Sequence, residues 1–202
     1  MEMVVHIAIK HGGNNMNKNK EELKDWVETI HKIIVDSFSY YGYLQGLKDY
    51  FEEKKKMSIP CLEFINHLKY LLQTSICLNL SKLFFDNGND VYSFNRYKKK
   101  IEETICTQLK IKKHQFETTI ENNVYNFRKR YIAHSIENSP SISISLEKLF
   151  EMLKIANNYF NDLTPIEYLE KSRRIDDKYI QNIVNHFKAG IWDFILLHSD
   201  NC

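Results

Sequence analysis

One segment of the chain has side chains suited to acid–base work beside a bound anion. It reads Phe127-Arg128-Lys129-Arg130-Tyr131-Ile132-Ala133-His134-Ser135. An arginine presents a planar fork of donors that can hold a phosphate or carboxylate through two hydrogen bonds. A histidine titrates near neutrality and can take or give a proton. Three basic residues just before a histidine, at the end of a helical pattern, are an odd use of ordinary core positions. Structural roles exist for both groups. His134 can bond a free carbonyl at a helix end, favoured by the helix dipole. Arg128 can pair with Glu121 or with a neighbouring helix. The residues alone leave these alternatives open.

These groups need a helix to position them. Phe116, Ile120, Val124, Phe127 and Tyr131 recur at helical spacing and predict a helix from about Lys113 to His134. Phe127 and Tyr131 point inward on it, Arg128 lies beside the stripe, and His134 sits at its edge. Other helices surround this one in sequence. Asn19 with Glu22 forms a capping box that predicts a first helix start, with Trp26, Ile30, Ile33, Ile34, Phe38, Tyr41, Leu44 and Phe51 as its stripe. Ser58 and Pro60 open a second, buried through Phe64, Ile65, Leu68, Leu71, Leu72, Ile76, Leu80 and Leu83. Ser93 caps a third, with Phe94, Tyr97, Ile101 and Ile105. Ser145 caps another, carrying Leu146, Leu149, Phe150, Leu153, Tyr159 and Phe160. Thr164-Pro165-Ile166-Glu167 reads as a capping box opening a short helix. Asp176 or Asp177 begins the last, with Ile180, Ile183, Val184, Phe187, Ile191 and Phe194.

The expected architecture is therefore all-α: four to five long helices, a short extra helix and a C-terminal helix. Residues 1–18 read as an N-terminal arm, either a short strand or a loose tail. Residues 19–163 read as the bundle, and 164–202 as a helical extension packed on it.

Composition agrees with a soluble globular chain. The 202 residues are 43% hydrophobic and 27% charged, with only 6 Gly and 3 Pro, so a many-turned β-sandwich is disfavoured. Net charge is +2, which excludes a histone-like polycation. The positive excess is local: residues 96–130 hold 10 basic and 4 acidic side chains, while both flanks are net negative. A solvated helix face explains such a run as readily as a phosphate-attracting surface does. Cys61, Cys77, Cys106 and Cys202 fit no zinc spacing and read as reduced structural thiols. No leader and no apolar run long enough for a span is visible, so a cytoplasmic location without membrane contact is expected. No paired metal ligands or Gly-rich phosphate loop appear, so neither a metal nor another cofactor is expected.

Phe-Arg-x-x-Tyr-Ile-Ala-His, with Arg128 and His134 enclosing five residues, resembles the R-x(4–6)-H motif of the HEPN superfamily (higher eukaryotes and prokaryotes nucleotide-binding). The Tyr131–His134 ending, and Leu80-Ser81-Lys82-Leu83-Phe84-Phe85-Asp86 followed by Ser93, are similar to its abortive-infection U-type branch. The likeness covers roughly residues 20–163, as helix order plus these short motifs.

This resemblance implies a helical bundle, a homodimer, and metal-independent cleavage of RNA in a cleft at the dimer interface. It makes Arg128 and His134 the catalytic pair. Lys129, Arg130, Lys112 and Lys113 would bind RNA phosphates, with Tyr131 and Ser135 as accessory groups. Toxins and antiphage factors are the corresponding biological class, with an antitoxin or regulatory protein as a further partner. Two positions depart from the family. Lys129 stands where active members usually carry Asn, Asp or His, and a charged lysine accepts no hydrogen bond. Ile136 stands where members modified by a nucleotidyltransferase often carry Tyr. Lys129 favours the alternative, a non-catalytic module of the same fold that binds RNA, nucleotide or protein.

Overall fold

Long apolar stripes with few breakers leave little for this chain to do except pack helix on helix. The computed structural model describes residues 2–53, 59–86, 92–105, 144–168 and 174–198, with side chains described for 19–53, 62–86, 92–104, 144–168 and 174–195. Among the described residues there are five helices and no strand. They are α1 (Glu2–Glu53), α2 (Ile59–Phe85), α3 (Phe94–Ile105), α4 (Leu146–Leu163) and α5 (Asp177–His198). None of them is long and apolar enough to cross a membrane.

α1 is the axis of the bundle and touches all four other helices. Leu23, Val27, Ile30, Ile34, Phe38, Tyr41 and Leu44 follow the helical period and are buried along it. Phe38 and Tyr41 meet the Phe150 ring of α4 at centroid distances of 6.1 and 5.0 Å. Toward α2, Asn79 Nδ2 donates to Ser37 Oγ at 2.9 Å, and Ser37 Oγ donates to the Ile33 carbonyl at 2.7 Å. These bonds satisfy polar groups that burial would otherwise strand.

The other side of α1 receives α5, the most extensive helix pair in the structure. Gly42 and Gly46, one turn apart, permit the approach. A Cβ on Gly42 would lie 2.7 Å from the Val184 carbonyl oxygen. One on Gly46 would lie 2.7 Å from the Lys188 carbonyl oxygen and overlap Ile191 Cγ2. Tyr43 packs edge-on against Phe187, Tyr50 against Trp192, and Lys188 pairs with Asp49.

Four expectations need correction. Residues 2–18 are helical and continuous with α1, so Asn19 and Glu22 lie inside a helix and do not start one. A capping box is a local preference of about 1 kcal/mol, and here Glu22 accepts a hydrogen bond from Lys100 of α3 instead. Second, Thr164-Pro165 closes α4 and does not open a short helix. Thr164 N–H and Oγ1 both donate to the Phe160 carbonyl, at 3.0 and 2.7 Å, and residues 166–168 form a turn. Pro165 then ends the helix, having no N–H to continue it. Third, Phe64 and Leu71 are 56% and 47% exposed, although the stripe count places them inside. α2 is apolar on most sides, so periodicity cannot say which side meets α1. Fourth, Phe194 of α5 is exposed, while Ile191 and Ile195 carry the contact.

The helix starts at Ser93 and Ser145 stand where the sequence places them. Tyr97 N–H donates to the Ser93 carbonyl at 2.8 Å, so α3 starts there, but the buried Ser93 hydroxyl has no partner among the described residues and does not make the expected side-chain cap. Ser145 is extended and its side chain accepts from Lys148 N–H at 3.2 Å. α2 begins at Ile59, so Pro60 falls in its first turn, where a missing N–H costs nothing.

Candidate functional site

Arg128, Lys129, Arg130, Tyr131, His134 and Ser135, together with Lys112 and Lys113, lie outside the described residues. So do the predicted helix from Lys113 to His134 and the side chains of Cys61, Cys106 and Cys202. The frame on either side of that segment is described. Before it, α3 is anchored by Phe94, Tyr97 and Ile101, each no more than 2% exposed. Tyr97 is fixed further by a 2.7 Å hydrogen bond between its hydroxyl and Thr164 Oγ1, and burial raises its pKa well above the usual tyrosine value. After it, Ile144 is buried, and its carbonyl accepts a long bond from Gln73 Nε2 at 3.5 Å. The segment is thus bounded by α3 on one side and, on the other, by Ile144 beside the middle of α2.

The electrostatics of α3 change the reading of the basic stretch. Lys98 pairs with Glu102 at 3.7 Å and Lys99 with Glu103 at 3.9 Å, each one helical turn on. Lys100 pairs across to Glu22 of α1. Exposed pairs of this kind add little stability. They do bring a negative charge beside each of three lysines, which lowers the local potential. The α3 half of the stretch is thus largely a paired helix face.

The described residues hold one polar opening of interest, of about 390 Å³, between α4 and the start of α5. Two asparagines one turn apart on α4 form its floor. Asn157 Nδ2 and Asn161 Nδ2 both donate to the Ile175 carbonyl, at 2.9 and 3.2 Å. Asn157 is 2% exposed, and neither amide oxygen has a partner among the described residues. Arg174, Asp176 and Asp177 stand at the mouth. Asp176 caps α5, its Oδ1 accepting from Tyr179 N–H at 2.7 Å, and Asp177 pairs with Lys154 at 2.9 Å. The arrangement ties segment 174–176 to α4 through the Ile175 carbonyl. Stripe counting misses it. The available signal is Asn157, an amide at a position where the period calls for an apolar residue.

The one described cysteine side chain is chemically silent. The Cys77 thiol is fully buried, and burial pushes its pKa from 9.0 up to about 12, so it holds its proton and is no nucleophile. No group of three or more His, Cys, Asp or Glu side chains among the described residues could hold a metal ion.

No family model matches the chain, and no curated protein or solved structure matches it significantly. The resemblance to HEPN proteins therefore stands on the residues quoted for it.

Proposed function

We propose that this chain is a metal-independent endoribonuclease of HEPN type, acting as a homodimer in the class of toxins or antiphage factors. One observation carries the reading: Arg128 and His134, with five residues between them, at the end of an amphipathic pattern in an all-helical chain. An all-α bundle is the architecture this reading requires.

The chemistry follows from the side chains. RNA supplies its own nucleophile, the 2′-hydroxyl. His134 takes that proton, or gives one to the departing 5′-oxygen. Arg128 holds the non-bridging phosphate oxygens and offsets the charge that builds in the transition state. The P–O5′ bond breaks as the 2′-O–P bond forms, leaving a 2′,3′-cyclic phosphate and a 5′-hydroxyl. On one straight helix the two side chains project about 120° apart, six steps of ~100°. A two-fold partner or a helix break at His134 brings them together. Lys112, Lys113, Lys129 and Arg130 add phosphate contacts.

The test is incubation of the purified protein with labelled single-stranded RNA and tRNA in EDTA, beside His134→Ala and Arg128→Ala. Cleavage with cyclic-phosphate ends, lost in both variants, is the expected result. An inert, folded wild type on every RNA tried would overturn the nuclease reading. Lys129 favours the second reading, a binding module of the same fold, and salt-sensitive RNA binding without cleavage is its signature.

A further inference from the structure

The outer face of α2 carries a line of large apolar side chains in contact with solvent. Phe64, Leu71 and Leu78 are 56%, 47% and 42% exposed. They are seven residues apart. Seven steps of ~100° fall about 20° short of two turns, so the three form one nearly straight row. Tyr70, 42% exposed, flanks it. The opposite side of the helix, through Ile65, Leu72, Ile76 and Leu83, packs into the core.

Polar groups near the row make few demands on water. No charged residue occurs from Tyr70 to Ser81. Ser75 lies beside the row, and its hydroxyl donates back to the Leu71 carbonyl at 2.9 Å. The Lys69 ammonium turns away to the Phe51 ring of α1, 5.2 Å from its centroid. A charge-free centre with charges only toward the ends is the composition of an interface core.

We infer that this face pairs antiparallel with α2 of a second copy of the chain, about a two-fold axis through Leu71. The two-fold makes the surface complementary to itself. Leu71 meets Leu71, and Phe64 of each copy meets Leu78 of the other. Charge favours this direction over the parallel one. Antiparallel pairing brings Glu63 of each copy within about one helical turn of Lys82 of the other. A parallel pair would set Glu63 against Glu63 and Lys82 against Lys82.

The area fits a weak dimer. Taking full side-chain areas of roughly 200–250 Å², the row and Tyr70 expose about 400 Å² per copy. Two copies bury about 800 Å² of it, and the polar margin around His67 and Ser75 carries the total to about 1,000 Å², the low end for a specific interface. Self-association is therefore concentration-dependent. The proposal concerns the α2 face alone: dimerisation that Leu71→Glu leaves intact would sink this face and keep the nuclease homodimer, a monomeric wild type would count against both, and loss of RNA cleavage leaves the α2 pairing standing.

The experiment is sedimentation velocity over a concentration series of wild type, Leu71→Glu, Leu71→Lys and a mixture of the two variants. Both substitutions are at an exposed position, and circular dichroism checks that each variant folds. The wild type is expected to dimerise with rising concentration. Each variant alone is expected to self-associate about tenfold or more weakly, and the mixture to recover a heterodimer through Glu–Lys pairing at the axis. A wild type that stays monomeric across the series would overturn the proposal. So would a Leu71→Glu variant that dimerises like the wild type. Variants that are monomeric both alone and mixed would overturn the antiparallel register through Leu71.

Discussion

The same substitution, glycine to alanine, should move stability in opposite directions at two positions. Inside a helix, alanine is intrinsically better than glycine by about 1 kcal/mol, because glycine loses more backbone freedom on folding. Gly190 of α5 is exposed, and a Cβ there would meet nothing within 4 Å. Gly190→Ala should therefore stabilise by about 0.5–1 kcal/mol. Gly46 of α1 faces the α5 backbone. Its new Cβ would lie 2.7 Å from the Lys188 carbonyl oxygen and 3.3 Å from Lys188 Cα, as well as overlapping Ile191. A flexible side chain tip can move aside, but a helix backbone moves only with its neighbours. Overpacking of this kind costs about 1–3 kcal/mol, which exceeds the propensity gain. Gly46→Ala should lose up to about 2 kcal/mol net. For a chain of this size 1 kcal/mol is ~2–4 °C in Tm, so the two variants should melt up to about 12 °C apart, on opposite sides of the wild type. Thermal and urea unfolding followed by circular dichroism would measure both. Equal shifts of the same sign would refute the close approach of α5 to α1 at Gly46.

Two further outcomes follow from buried groups. Tyr97→Phe removes the 2.7 Å bond to Thr164 Oγ1 and keeps the ring packing against Phe160, so urea unfolding should show a loss of about 1 kcal/mol; no change would mean the two hydroxyls do not meet. The Cys77 thiol has an ordinary pKa of 9.0 and a buried one of about 12. Between those values the unfolded chain gives up the proton and the folded chain keeps it, so this group lowers stability as pH rises above about 9 and contributes nothing below about 8. The stability difference between wild type and Cys77→Ala should shrink over that range by up to ~1.4 kcal/mol per pH unit, and a difference independent of pH would refute the burial.

Much of the fold is legible because helical periods with strong contrast report a single packed face. Ile30, Ile34, Phe38, Tyr41 and Leu44 of α1 are read correctly from spacing alone, as are Phe94, Tyr97 and Ile101 of α3. Contrast fails on α2, where apolar residues line more than one side and the partner decides which is covered. It also fails for Gly42 and Gly46, since nothing in α1 itself says that α5 will lie against them. Capping patterns mislead for a related reason. Asn19 and Glu22 match a helix start, and Thr164 with Glu167 matches another, yet each side chain has a second use. Glu22 serves a tertiary ion pair and Thr164 a helix end. For the proposed site, spacing singles out Arg128 and His134 as candidates and sets them ~120° apart on a straight helix, while the two-fold partner or helix break that the proposal needs to bring them together is not encoded in spacing. Asn157 is the opposite case, a polar residue whose place is set by one carbonyl, that of Ile175, 18 positions along the chain.

Charge is where counting and geometry diverge most. The excess over residues 96–130 suggests a continuous basic surface, yet Lys98, Lys99 and Lys100 each have a carboxylate beside them. A phosphate approaching α3 meets Glu102 and Glu103 with the lysines, and must outcompete groups already held one turn away on the same helix. An isolated lysine imposes no such exchange. The basic residues of the stretch that follow α3 are Lys110, Lys112, Lys113, Arg128, Lys129 and Arg130, and in sequence they have only Glu117 and Glu121 for company. Those six include every basic residue that the proposed nuclease assigns to its substrate. The pairing on α3 thus sharpens the proposal: RNA affinity and its salt dependence should respond to charge removal in 110–130 far more than to removal of Lys98 or Lys99.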